Sequence, residues 1–99
     1  MRLRRDRFGD LVRRQLDLFA EDESQLLREA EEAERAYDTA EREEAEELYG
    51  DYQLVLEAIA DGLGELRDTY GATLDEDAAA EYAAAFERVA RRRHPQVRL

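Results

Sequence analysis

Sixteen glutamates and ten aspartates in a chain of 99 residues make carboxylate chemistry the first question to ask. Two clusters have spacing suited to it. Glu43, Glu44 and Glu47 fall within Glu43-Glu44-Ala45-Glu46-Glu47, and Glu65 and Asp68 within Glu65-Leu66-Arg67-Asp68. Residues three and four apart share a helix face, so each cluster offers neighbouring oxygen ligands. Mg²⁺ is held by carboxylate oxygens and water and requires no histidine. The remaining catalytic inventory is small. Ser24 is the sole serine and His94 the sole histidine. A nucleophilic triad needs both in one pocket, whereas Ser24 falls at a helix start and His94 beside Pro95. A di-iron bundle needs Glu-x-x-His motifs, and none occurs. The absence of cysteine removes disulfides and thiolate metal sites.

The two carboxylate clusters resemble the metal-binding pattern of the MazG-like all-α nucleoside triphosphate pyrophosphohydrolases. The segment Arg92-Arg93-His94-Pro95-Gln96-Val97 is similar to one near the end of some members. The resemblance spans about half the chain. It implies a dimeric or tetrameric helical bundle, Mg²⁺ held by Glu43, Glu44, Glu47, Glu65 and Asp68, and hydrolysis of a nucleotide to its monophosphate. The chain departs from the pattern in two ways. It has no Lys or Asn for phosphate or base contacts, and Tyr49 interrupts what would otherwise be a contiguous run of Glu47, Leu48, Gly50 and Asp51. A chain this rich in Glu also produces such spacings by composition alone. The expected function is therefore non-enzymatic, with no catalytic residue and no cofactor, and the carboxylates form a solvated helix face. The Mg²⁺-dependent pyrophosphohydrolase is the alternative.

Charge points to the kind of partner. The net charge is −11, which repels nucleic-acid phosphates and argues against that class. All fifteen basic residues are Arg, and eleven of them sit at the ends. Residues 1–16 carry six Arg against two acids, residues 88–99 five Arg and no acid, and residues 17–87 four Arg against 24 acids. The amphipathic basic N-terminus has the form of a membrane-surface helix, but the acidic body opposes anionic lipid, so packing onto the central helix is expected instead. No apolar run approaches a membrane span, and acids interrupt any signal-like core. A cytoplasmic location is the default expectation.

What must position these groups is a set of helices in a single domain covering residues 1–99. Ala, Leu, Glu and Arg dominate, Pro95 is the only proline, and no segment alternates with period two. The pattern predicts an all-α fold: a long central helix flanked by two shorter antiparallel ones, with coiled-coil-like or bundle packing. The first helix, about 3–20, presents Phe8, Leu11, Val12, Leu16 and Phe19. Asp22 with Gln25 suggests a capping-box start for the next. The central helix, 23–70, carries Leu26, Ala30, Ala33, Tyr37 and Ala40, loses its seam near Glu44, and regains it at Leu48, Tyr52, Val55, Ile59, Leu63, Leu66 and Tyr70. Continuity is favoured, with Gly50-Asp51 the weak point at 49–52. Uninterrupted, this helix would run about 70 Å. Gly71 is expected to stop it, and Asp75 to cap a last helix over 75–93 that presents Ala78, Tyr82, Ala85, Phe86 and Val89. Residues 94–99 are expected to fray.

These readings combine into an acidic helical interaction module (an adaptor, regulator or scaffold). It is expected to self-associate as a homodimer through the 48–70 seam with Phe8, Leu11 and Phe19, and to receive a basic protein on its acidic central surface. Arg13, Arg14, Arg91 and Arg92 are expected near the central carboxylates, setting register.

Overall fold

The computed structural model describes residues 6–99; the expected helix start at Leu3 lies outside them. Among the described residues the chain forms four helices and no strand: α1 (Gly9–Asp22), α2 (Ser24–Asp38), α3 (Arg42–Gly71) and α4 (Glu76–Arg93). The all-α architecture with a long central helix stands, but the helix expected to run unbroken over 23–70 is divided into α2 and α3, and not at 49–52.

α1 and α2 are nearly one helix. The Glu23 N–H donates to the Phe19 carbonyl at 2.8 Å, and the Leu27 N–H to the Glu23 carbonyl at 3.0 Å, so the helical bonding pattern passes through the junction. Only Glu23 leaves helical backbone values. Asp22 is therefore the last residue of α1 and caps nothing, in contrast to the expected capping box.

The real interruption is Thr39–Glu41. The Thr39 hydroxyl donates to the Arg35 carbonyl at 3.0 Å, competing with helix continuation as hydroxyls near their own backbone do. Glu41 is extended, and Glu43 and Glu44 then occupy the first turn of α3, where the helix dipole favours negative charge. Folding back also covers apolar surface that a straight rod would leave wet. Leu26, Leu27, Ala30 and Ala33 pack against the core, and the side of α3 they face is the one carrying Tyr52, Leu56 and Ile59.

α3 runs unbroken through Gly50, which corrects the suspected weak point there. No atom lies within 4 Å of a Cβ built at Gly50. Gly50→Ala is thus expected to stabilise the protein by about 0.5–1 kcal/mol through helix propensity alone, seen as a higher urea midpoint at unchanged slope.

Gly71 does end α3, but not in the left-handed conformation typical of glycine at a helix end, because no described residue has positive φ. The turn is closed by the Thr73 hydroxyl, which donates to the Tyr70 carbonyl at 2.6 Å. Asp75 caps α4 as expected, accepting from the Ala78 N–H at 2.9 Å.

Two short connections make α2 antiparallel to the first half of α3 and α4 antiparallel to its second half. α1 runs parallel to α4, as its cross-links show: Asp6 with Arg88, and farther along Asp17 with Arg93. The molecule is therefore a three-helix base with a two-helix arm, and it measures 55 × 31 × 21 Å. The base holds the core. Val12, Leu16, Leu63, Tyr82, Phe86 and Ala90 are at most 1% exposed, and α2 contributes no fully buried residue. The tail, expected to fray, packs in part on the base. Val97 is buried in the core, its N–H donates to the His94 carbonyl at 3.0 Å, and Leu99 packs beside it.

Candidate interaction surface

Ten side chains were expected to form an association face, and the fold divides them. Phe8, Phe19, Tyr52, Ile59 and Leu63 are buried within the chain's own core. Leu11, Leu48, Val55, Leu66 and Tyr70 are only half-buried. Leu56, which sits one residue off the expected seam, is buried in place of Val55. The inner line of the seam thus closes on α1, α2 and α4, and the outer line stays partly open to solvent.

The five carboxylates of the possible Mg²⁺ set do not converge within one chain. Glu43, Glu44, Glu47, Glu65 and Asp68 are all exposed and all lie on α3. Because α3 is a single helix, Glu47 and Glu65 are separated by about 27 Å of helix axis. Asp68 is also engaged: the Arg67 guanidinium donates to it at 2.9 Å and holds its carboxyl below the usual range. No group of three or more potential metal ligands gathers among the described residues. As placed here, the five carboxylates cannot share one ion within a single chain.

Ser24 is exposed at the start of α2. His94 ends α4 half-buried, its ring edge-on to Phe19 at 6.5 Å between centroids. It borders a cavity of about 240 Å³ with Glu31, Glu34, Tyr52 and Val97. Burial, with a smaller contribution from the Arg93 charge, holds the His94 pKa below its ordinary value. Burial and the Glu34 carboxylate together push the Tyr52 hydroxyl up.

The histidine shift has a pH consequence. Folding favours neutral imidazole, so the unfolded chain takes up the proton first as pH falls through about 6.5. Stability contributed by neutral His94 is complete above that pH and is lost below it. The melting temperature is expected to fall between neutrality and pH 5.5 in the native chain, and to fall less in His94→Gln. Equal slopes would show that His94 does not control this window.

Charge is distributed in a way the sequence did not disclose. Seven ion pairs occur among the described residues, and none involves α2 or the first half of α3. Arg13 pairs with Asp10 in its own helix, Arg91 with Glu87 in its own, and Arg93 reaches across to Asp17. Arg14 and Arg92 are exposed and enter none of these pairs. The expected pairing of terminal arginines with central carboxylates is replaced by bridges between residues 6–17 and α4. The exception is Arg67, which joins α3 to Glu87 of α4 at 3.2 Å. The arm, residues 24–57, is left with twelve acids and three Arg.

Large apolar residues also remain in solvent: Leu18, Tyr37, Tyr49 and Leu54. Tyr37 and Tyr49 lean on each other across the arm near its tip, with ring centroids 5.2 Å apart. Leu18 and Leu54 were missed in the sequence, although each stands off the stripe of its own helix, and a large aliphatic residue off the buried face is itself a signal. Comparison with protein-family models, curated proteins and solved structures returned no match.

Proposed function

We propose that this protein is a non-enzymatic helical interaction module whose acidic arm receives a basic protein partner. The observation that carries the reading is the segregation of charge. All the ion pairs among the described residues lie in the base, where six of its fourteen acids are paired, while none of the arm's twelve carboxylates takes part in one. A surface of one sign raises encounter rates with oppositely charged partners and rejects like-charged ones. A homodimer using Leu48, Val55 and Leu66 is compatible with this role and belongs to the same proposal.

The test is affinity capture at low and high ionic strength, with the native chain and a Glu43→Gln, Glu44→Gln, Glu46→Gln, Glu47→Gln variant as baits. Basic proteins should be retained by the native chain and lost from the variant and at high salt. Recovery of the same proteins by both baits overturns the arm as docking face. Incubation with mixed nucleoside triphosphates and Mg²⁺ examines the enzymatic alternative. Pyrophosphate release that disappears in Glu47→Gln would replace the interaction reading with hydrolysis.

A further inference from the structure

We infer that the groove between α1 and the second half of α3 is the docking site for an amphipathic helix with an aliphatic face flanked by Arg or Lys. The inference rests on the interaction-module reading and gives that module a second, apolar contact point away from the arm.

The groove has a volume of about 450 Å³ and is built by α1, the Glu23 junction and α3, with no residue of α4 in its lining. α4 lies against the other side of the same helix pair. The base therefore has three helices where a bundle has four, and the groove occupies the vacant place. Its floor is apolar. Phe19 and Leu66 line it, and Leu18 stands at its lip 53% exposed. Gly62 shapes the floor. A Cβ there would sit 3.1 Å from the Phe19 ring, so a larger residue would have to displace that ring or fill the hollow. An incoming helix with aliphatic residues one turn apart would cover Leu18 and Leu66 together, the usual way a helix enters a groove.

Charge selects the occupant. The charged residues of the rim are Asp22, Glu23 and Glu65, beside the neutral Gln15 and Thr69, and no Arg lines the groove. None of the three takes part in an ion pair among the described residues. A second copy carries −11 and would bring like charge to this rim, and an anionic lipid surface would do the same. A cationic helix satisfies both the floor and the rim.

The probe is a labelled synthetic peptide of about 18 residues, five helical turns, composed of Leu and Arg with every Leu on one face. Its control has the same composition with Leu spread around the helix. Fluorescence anisotropy should show the amphipathic peptide binding the native chain at least about tenfold tighter than its control. Leu18→Ser with Glu65→Arg, both exposed positions that leave the core intact, should abolish that preference. The four-Gln arm variant should weaken both peptides equally and preserve the preference. Equal binding of the two peptides, lost only in the arm variant, overturns the groove and leaves the interaction module standing. No binding of either peptide at low ionic strength overturns both. A native dimer that Leu18→Ser converts to monomer on sedimentation would assign the groove to a second copy and overturn the cationic helix.

Discussion

Tyr82→Ala is expected to cost about 3–5 kcal/mol, the range for truncating a buried aromatic, against a total of about 5–15 kcal/mol for a domain of this size. Tyr82 is fully buried and sits where three of the four helices meet. Its ring lies 5.6 Å from Phe8 at the start of α1, 4.8 Å from Tyr70 of α3 and 6.0 Å from Phe86 of its own helix. Its hydroxyl donates to the Gln15 side chain at 2.7 Å. Removing the ring thus leaves a cavity that α1, α3 and α4 all border, and no single element can relax to fill it. Tyr82→Phe removes only the hydroxyl and should cost about 1 kcal/mol. Chemical denaturation followed by circular dichroism separates the two. A loss below about 1.5 kcal/mol for the alanine variant would place the centre of the core elsewhere.

Hydrogen exchange should divide the molecule into two stability classes. Amides of α2, residues 28–37, are expected to exchange at least about 100-fold faster than those of α4 over 82–90, equivalent to about 2.8 kcal/mol at 1.4 kcal/mol per decade. The reason is burial. α2 has no fully buried side chain, whereas α4 has Ala78, Tyr82, Ala85, Phe86, Val89 and Ala90. Local opening follows the number of buried apolar contacts an element makes, and burying one large aliphatic side chain contributes about 1.5–3 kcal/mol. α2 is therefore expected to open at Glu23 and Thr39–Glu41 while α1, the second half of α3 and α4 stay closed. Uniform protection across both helices would show that the chain unfolds as one cooperative unit and that the arm has no independent motion.

The faces of the helices were legible in the sequence because amphipathic periodicity directly records which side is dry. Val12, Leu16 and Phe19 on α1, Tyr52, Ile59 and Leu63 on α3, and Tyr82, Phe86 and Val89 on α4 are all buried as their spacing implies. Asp75 was legible because a cap is a local event. The turn at Thr39–Glu41 was not, since it contains neither glycine nor proline and its residues are all compatible with helix. What breaks the rod there is the surface gained by folding α2 onto α3, a tertiary term that no local rule contains. The burial of Val97 was illegible for the same reason. It depends on where α4 delivers the tail, not on the tail's own composition.

The candidate surface was legible by halves. The abundance of acid was plain, but its lack of internal partners was not, because ion pairing depends on which helices become neighbours. The parallel arrangement of α1 and α4 gives the terminal arginines to Asp6, Asp17 and Glu81. The groove at Leu18 is a further step removed, since it exists only because α4 chose one side of the α1–α3 pair.

The sorting of ion pairs into the base gives the molecule two opposite responses to dissolved salt. Counterions shield attraction where α1 meets α4 and shield repulsion along the hairpin. Brine therefore loosens one end while it quiets the other, and a bulk melting curve records only the difference. The chain's tolerance of ionic surroundings follows from where its charges lie more than from how many it carries.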